Sequence, residues 1–286
     1  MTTSHITSAD SRAPISPYAL LASLARNWDL IWQMTKREVV GRYKGSILGL
    51  FWSFFHPLLM LAVYTFAFSF IFKIRIRPLV TGTVDSTTDF AFYCFTGMII
   101  FTIFAEVVAR APSIILQHPN YVTKVVFPLE VFPFVLTGAA IIHSLISVGV
   151  LLLGFVLIQH TLHITFLLLP LILIPHILFI LGFSWFLASL GVYLRDVAQT
   201  ISIVIMIMTY LSPVFYATEN IKEPAIKTLI LLNPLTIPIE NARHILLEGV
   251  MPEWSMLGIH SAISLLICCL GFAWFQRTKR GFADVL

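Results

Sequence analysis

Charged residues are scarce in this sequence of 286 residues, because Asp, Glu, Lys and Arg together make up only 11% of it. Soluble proteins carry about 25% charged residues, so this scarcity excludes a water-soluble globule of ordinary composition. Hydrophobic residues supply 58% of the chain. An excess of that size must lie in long runs that face lipid, and we predict an all-α integral membrane protein.

The sequence also lacks the short motifs that mark common catalytic and metal sites. It contains no GxxxxGK[ST] run and no Gly-Lys pair, which excludes a P-loop for nucleotide phosphates. It contains no HExxH, GxSxG or EF-hand loop either. Cys94, Cys268 and Cys269 form no CxxC pair, so we expect neither a disulfide framework nor a metal site. The 18 Lys and Arg residues form no dense run, and we expect no nucleic-acid partner.

Six stretches contain the roughly 20 mostly apolar residues that a spanning helix needs. They cover residues 48–72, 90–108, 131–158, 162–194, 201–216 and 256–275. An even number of spans puts both termini on one side of the membrane. That side holds twelve Lys and Arg residues against six on the other, so the positive-inside rule predicts cytoplasmic termini.

A polar tail, residues 1–16, precedes a segment of helical periodicity, residues 17–40. One predicted face carries Leu21, Leu24, Trp28, Ile31 and Thr35. The other predicted face carries Ser23, Arg26, Asn27, Gln33, Lys36 and Arg37. This pattern is typical of an amphipathic helix that lies on the membrane interface. A helix packed against a soluble partner is the alternative.

Two connecting segments have helical character without the length of a span. Residues 224–249 contain two short stretches separated by Asn233-Pro234, which predicts a re-entrant helical pair on the outer side before the last span. A surface loop is the alternative. Residues 111–128, flanked by Pro112 and Pro128, predict a short cytoplasmic helix or a plain linker.

Aromatic residues recur every four positions along the first predicted span, as Phe51 and Phe55 and then as Tyr64, Phe68 and Phe72. Aromatic side chains offer an apolar face to sugar rings, and tyrosine adds a polar group. Contact with lipid explains each of these residues equally well.

Two other functions are open at this point. His56, His143 and His176 approach mid-membrane depth, which would suit a membrane-embedded transferase, although buried neutral histidines bonded to other helices explain them as well. An ion-coupled carrier usually needs ionisable groups near the midplane. Here Glu106, Arg110, Glu130, Arg195 and Asp196 all lie at predicted cytoplasmic ends of spans, which disfavours a carrier.

Five motifs, in the same order and between the same spans, resemble those of ABC-2 type permeases that export polysaccharides. They are residues 37–52 (REVVGRYKGSILGLFW) followed by His56-Pro57-Leu58, residues 124–128 (KVVFP), Leu194-Arg195-Asp196, Leu211-Ser212-Pro213 with Tyr216, and Leu232-Asn233-Pro234-Leu235. The resemblance covers nearly the whole chain from about Ser16 onward. It is strongest to the membrane subunits of O-antigen exporters, whose relatives carry capsule or teichoic acid.

This resemblance implies that residues 41–286 form one ABC-2 transmembrane domain. It further implies a homodimer in the bacterial inner membrane that binds two copies of a separate ABC ATPase, which holds ATP and Mg. The chain itself would bind no cofactor and would not be an enzyme. The implied substrate is a lipid-linked polysaccharide, with O-antigen favoured. Capsule, teichoic acid or another lipid-linked substrate, and an ABC-2 permease for drugs or small lipids, are the nearest alternatives.

The resemblance also implies roles for individual residues. Those implied to line the substrate channel are Phe51, Phe55, Tyr64, Phe68, Phe72, Tyr210, Phe215 and Tyr216. Those implied to couple to the ATPase are Gln117, His118, Pro119, Asn120, Lys124, Arg195 and Asp196. The membrane-entrance motif comprises Arg37, Arg42, Tyr43, Lys44, Gly45 and Trp52. The outer gate comprises Asn233, Pro234, Glu240 and Arg243.

Overall fold

The computed structural model describes residues 17–49, 51–71, 87–123 and 127–286, and all regular structure within these ranges is helical. This confirms the all-α prediction. The helices are α1 (Pro17–Arg26), α2 (Trp28–Tyr43), α3 (Phe51–Thr65), α4 (Thr87–Arg110), α5 (Pro119–Thr123), α6 (Val131–Gln159), α7 (Leu169–Tyr193), α8 (Val197–Leu211), α9 (Pro224–Leu231), α10 (Thr236–Arg243), α11 (Trp254–Thr278) and α12 (Phe282–Val285). The predicted polar tail, Phe72 and Lys124 lie outside the described residues.

In the described part of the chain, four helical segments are long and apolar enough to cross a membrane, and they correspond to four of the six predicted spans. They are Thr88–Ser113, Val131–Gln159, Ile164–Tyr193 and Trp254–Val285. The first and fifth predicted spans correspond to the shorter apolar helices α3 and α8. Helix α3 continues as a π-helical turn over Phe66–Ile71, which adds six residues to its length. That α3 and α8 cross the membrane stays a prediction.

The predicted boundaries of the fifth span, residues 201–216, differ from those of α8. The helix begins earlier, at Val197, and ends at Leu211, where Ser212 adopts an extended backbone before Pro213. A residue that precedes proline disfavours the helical conformation, so the helix stops there although the apolar run continues. The 15 residues of α8 span about 22 Å, which is less than the roughly 30 Å of a bilayer core.

The bundle has two ends, which we name after the short helices found there. The α5 end carries α2, α5, α12 and the turn between α7 and α8, and the α10 end carries α9 and α10. At the α5 end, Ser23 of α1 and Lys279 after α11 both hydrogen-bond Glu130, at 3.5 Å and 3.2 Å. The N-terminal and C-terminal helices of the described chain therefore lie at the same end, as an even number of spans requires.

The predicted amphipathic helix, residues 17–40, is broken into α1 and α2 at Asn27, whose side chain hydrogen-bonds the carbonyl of Ser23. Most residues keep the face predicted for them. Leu24, Ile31 and Thr35 are buried or half-buried, and Arg26, Gln33 and Lys36 are exposed. Two residues near Asn27 differ. Ser23, predicted on the polar face, is only 4% exposed, whereas Trp28, predicted on the apolar face, is 57% exposed. The Asn27 amide still donates to the Ser23 carbonyl at 3.0 Å, and the Ile31 amide donates to the Asn27 carbonyl at 2.9 Å. The helical turn therefore continues through Asn27, and only positions close to it depart from the predicted faces.

Helix α2 packs against α6 through residues four positions apart. Ile31, Thr35 and Val39 are buried there, and a Cβ atom on Gly138 of α6 would lie 3.0 Å from the side chain of Thr35. On its exposed side, the Lys36 ammonium lies 4.9 Å from the ring centre of Trp32. Exposed tryptophan beside lysine suits a lipid headgroup surface. The interfacial position of α2 stays a prediction, and one face of this helix belongs to the bundle.

Glycine permits the close approach of α7 and α11. A Cβ atom on Gly271 would collide with the backbone carbonyl of Gly182, and one on Gly182 would collide with the carbonyl of Ile267. Nearer the α5 end, the hydroxyls of Ser189 and Thr278 share a hydrogen bond of 2.6 Å. Small residues commonly let helix backbones touch within membranes, where the packing itself drives association.

We expect Gly271→Val to force α11 away from α7 and to lower the free energy of unfolding by about 1–3 kcal/mol. No change of rotamer can relieve the collision, because the added atoms meet backbone. Gly258→Val is the matched control on the same helix, since a Cβ atom there meets nothing within 4 Å. Thermal unfolding of the purified variants in detergent measures the difference. Equal midpoints for the two variants would contradict the prediction.

Candidate functional site

Charged and polar side chains join the last turns of α2 to α4 and α6. The Arg42 guanidinium lies 2.5 Å from the Glu106 carboxylate of α4 and 3.1 Å from Nδ1 of His143 on α6. His143 in turn lies 3.4 Å from Glu106. A second ion pair joins Arg110 of α4 to Glu38 of α2. The chain is therefore held firmly where it leaves α2 and enters α3.

The other residues of the predicted membrane-entrance motif have different positions. Arg37 and Lys44 are exposed, and the side chain of Tyr43 lies outside the described residues. Gly45 follows α2 with a φ of +86°, a left-handed conformation that glycine adopts readily after a helix. Trp52 lines a cavity between α3, α4 and α6. The structure thus brings together Arg42, Trp52 and two residues from outside the motif, Glu106 and His143.

The predicted coupling segment, residues 111–128, forms a 3₁₀ turn at Ala111–Ser113 and then α5 at the α5 end. Among the residues of this segment whose side chains are described, Gln117, Pro119 and Asn120 are exposed. His118 faces inward: its Nδ1 lies 3.0 Å from the Ile114 carbonyl and its ring centre lies 5.0 Å from that of Phe132. The His118 side chain therefore packs between this segment and α6.

Two more elements accompany α5 at this end. Arg195 and Asp196 are exposed in the turn between α7 and α8. Helix α12 contacts both α5 and α7. Its Phe282 is fully buried, and the ring packs edge-on against Tyr193 of α7 at 5.9 Å. The sequence analysis missed α12, because a four-residue helix after the last apolar run has no distinct signal.

At the α10 end, two of the motifs that are separate in sequence meet in space. The Asn233 side chain donates a hydrogen bond of 3.0 Å to the Ser212 hydroxyl, and its Oδ1 accepts one from the Leu235 amide. Asn233 therefore shapes the turn between α9 and α10 and fixes it to the end of α8. The predicted helical pair, residues 224–249, is present as α9, α10 and a π-helical turn at His244–Glu248. Its depth in the membrane stays a prediction.

Arg243 is fully buried at this end, with 0% exposure. Its guanidinium donates hydrogen bonds to the carbonyls of Tyr93 and Val214, at 3.2 Å and 2.8 Å, and to Glu240 at 3.3 Å. It also stacks on the Tyr93 ring, 3.5 Å from the ring centre. Gly97 leaves room for it, because a Cβ atom there would lie 2.7 Å from Nη2. Arg243 thus joins α10 to α4 and to the turn after α8.

The predicted channel residues on α3 whose side chains are described lie in two groups. The rings of Phe51 and Phe55 stack at 6.0 Å near the start of α3. Tyr64 lies nine residues beyond Phe55, about 14 Å further along the helix, and meets Phe215 edge-on at 6.2 Å. Tyr210 is 73% exposed on α8, whereas the Tyr216 hydroxyl donates a hydrogen bond to the Leu211 carbonyl. The side chain of Phe68 lies outside the described residues.

The three histidines considered for a transferase do not share one position. His56 and His143 line the cavity between α3, α4 and α6. His176 is fully buried on α7, with its Nε2 3.1 Å from the Ile100 carbonyl of α4, which gives it a packing role. Within the described part of the chain, no group of three or more His, Cys, Asp or Glu residues could hold a metal ion.

The sequence matches the ABC-2 type transporter family over residues 29–247. A similar protein in Myxococcus xanthus, the O-antigen export system permease protein RfbA, is 26% identical over 266 residues, which cover 93% of this chain and 98% of the relative. A protein of the same name in Klebsiella pneumoniae is 25% identical over 260 residues, which cover 91% of this chain and 95% of the relative. The likeness therefore extends over most of both chains.

Proposed function

Because the chain belongs to the ABC-2 type transporter family, we propose that it is the membrane subunit of an ATP-driven exporter of lipid-linked polysaccharide, with O-antigen as the substrate. One observation carries this proposal. The family match, which spans residues 29–247, is joined by relatives named O-antigen export permeases that cover more than nine-tenths of the chain. The proposed location is the bacterial inner membrane, with both termini in the cytoplasm.

Two copies of an ABC ATPase would bind at the α5 end, which is then the cytoplasmic end. The chain has no P-loop of its own, so ATP and Mg would be held by that partner. The α5 end offers exposed polar residues on two connections, Gln117 and Asn120 beside α5 and Arg195 and Asp196 between α7 and α8. Closure of the ATPases on ATP would move these connections and thereby the helices attached to them.

A second copy of this chain would complete the path for the glycan. Helix α4 lies at the centre of the described bundle, in contact with α3, α6, α7, α8 and α10. Helices α3 and α8 both pack on α4 and expose apolar and aromatic side chains, among them Phe51, Ile207 and Tyr210. Two copies related by a two-fold axis would enclose a passage between such faces. The aromatic groups on α3 and at the end of α8 would then border it.

The experiment that tests this function deletes the gene and follows surface polysaccharides in the same cells. We expect O-antigen to disappear from the surface, to accumulate inside the cell and to return when the intact gene is restored. In purified complexes with the ATPase, lipid-linked O-antigen should stimulate ATP hydrolysis, and an ATPase variant unable to hydrolyse ATP is the control. Unchanged surface O-antigen would overturn the proposal, and loss of capsule or teichoic acid alone would reassign the substrate.

A further inference from the structure

A cavity of about 580 Å³ lies between α3, α4 and α6, beneath the last turn of α2. Its volume falls within the range of roughly 300–1,000 Å³ that is usual for sites of small organic ligands. It lies inside a single subunit, apart from the exposed faces of α8 that would border the glycan path.

The two halves of this cavity differ in polarity. The half towards the α5 end is lined by charged and polar side chains, including Arg42, Ser46, Glu106 and His143. The other half is lined by apolar side chains, including Pro57, Met60, Phe95, Met98 and Ile99. Glu106 and Phe95 are eleven residues apart on α4, so the cavity extends about 16 Å along that helix. Thr102, Ser144 and Ser147 line the region between.

A long cavity that is polar at one end and apolar at the other matches the order of polarity in a lipid. The Arg42 side chain is 33% exposed and is oriented by Glu106, which is 14% exposed. A guanidinium donates paired hydrogen bonds to phosphate oxygens, so a phosphate at Arg42 would take the place of the Glu106 carboxylate on part of that group. The apolar half would then receive the first part of a hydrocarbon chain.

We propose that this cavity binds a phosphorylated lipid, with the phosphate at Arg42 and the chain between α3 and α4. Such a lipid has two sources, the anchor of the exported glycan and the phospholipid of the surrounding membrane. The first source rests on the proposed function, whereas the second does not. Either lipid would fill the space behind the start of α3 and stabilise the position of that helix.

Binding to the purified complex of permease and ATPase tests the proposal with three radiolabelled probes. These are farnesyl diphosphate, short-chain phosphatidylglycerol and inorganic diphosphate. We expect saturable binding of at least one lipid probe and at least tenfold weaker binding of inorganic diphosphate, which has no chain for the apolar half. Preference for farnesyl diphosphate would indicate the glycan anchor, preference for phosphatidylglycerol would indicate a membrane lipid, and equal binding would indicate a site for both.

Two variants locate the binding in this cavity. Arg42→Gln removes the charge and should weaken lipid binding about tenfold, the loss expected for one charge-assisted hydrogen bond. Thr102→Trp should fill the cavity from an exposed position on α4 and abolish binding without disturbing buried packing. Leu145→Trp is the matched control, because Leu145 is exposed on α6 beside Ser144 and does not line the cavity.

The proposal is overturned if neither lipid probe binds saturably, or if Thr102→Trp binds the lipid as the intact protein does. Surface O-antigen is followed in cells that carry the same variants. Intact export by a variant that has lost lipid binding would show that the bound lipid is not the anchor of the exported glycan. Unchanged surface O-antigen after deletion of the gene would overturn the proposed function and leave the binding result in place.

Discussion

Replacing Arg243 with methionine should lower the free energy of unfolding by about 3–5 kcal/mol, the loss expected when one partner of a buried ion pair is removed. The methionine fills much of the volume but donates no hydrogen bond. The carbonyls of Tyr93 and Val214 would lose their donor inside the protein, and the Glu240 carboxylate would lose its counter-ion. The Glu240 side chain is 20% exposed, so contact with water reduces the loss of stability that comes from its unpaired charge.

Unfolding of the purified variant by denaturing detergent measures this loss. Lys227→Met is the matched control, since Lys227 is an exposed cation on α9 at the same end of the bundle. Arg243→Lys should lie between the two, because lysine keeps the charge but cannot serve three acceptors in one plane. A stability of Arg243→Met within 1 kcal/mol of the control, roughly the effect of an ordinary surface change, would show that the Arg243 contacts do not hold α10.

Placing lysine at both Gln117 and Asn120 should reduce export at least tenfold while the protein still inserts and folds. Both side chains are exposed, so the substitution removes no internal packing. The loss would arise at the proposed contact with the ATPase, where introduced charges without partners cost several kcal/mol. Each 1.4 kcal/mol changes the rate of export by a factor of ten. The expected loss therefore stays large even if the introduced charges remain partly in contact with water.

The control places lysine at Thr228 and Ser255, two exposed positions at the α10 end. Surface O-antigen, protein abundance in the membrane and ATPase co-purification are measured for both double variants. We expect the ATPase to separate from the Gln117/Asn120 variant, or to hydrolyse ATP without export, and to remain coupled in the control. Export within twofold of the intact protein, about 0.4 kcal/mol, would remove α5 from the interface.

The long helices could be predicted from the sequence because their length and composition determine them. The apolar runs at residues 131–158 and 256–275 became α6 and α11, since twenty or more apolar residues have few alternatives in a membrane. The break at Asn27 could not be predicted in this way. The burial of Ser23 was equally hidden, because this residue hydrogen-bonds Glu130, which lies 107 positions away in the sequence.

The candidate site shows the same division between local and distant information. Arg42 could be singled out from its motif, but Glu106 and His143, which hold it, are separated from it by 64 and 101 residues. Nothing in the local sequence links them. Asn233 and Ser212 were each recognised in separate motifs, and only the folded chain shows that they bind one another. His118 was placed in the ATPase contact by its neighbours, although its ring turns inward towards Phe132.

The backbone contact between Gly182 and Gly271 restricts which helices can move relative to one another. Two helices whose backbones are in contact cannot shift relative to one another without losing that contact. We therefore expect α7 and α11 to move as one rigid unit. The ion pair between Lys279 and Glu130 joins the end of α11 to the beginning of α6. In the proposed transport cycle, we expect the conformational changes to occur in the two short helices, α3 and α8, relative to this unit.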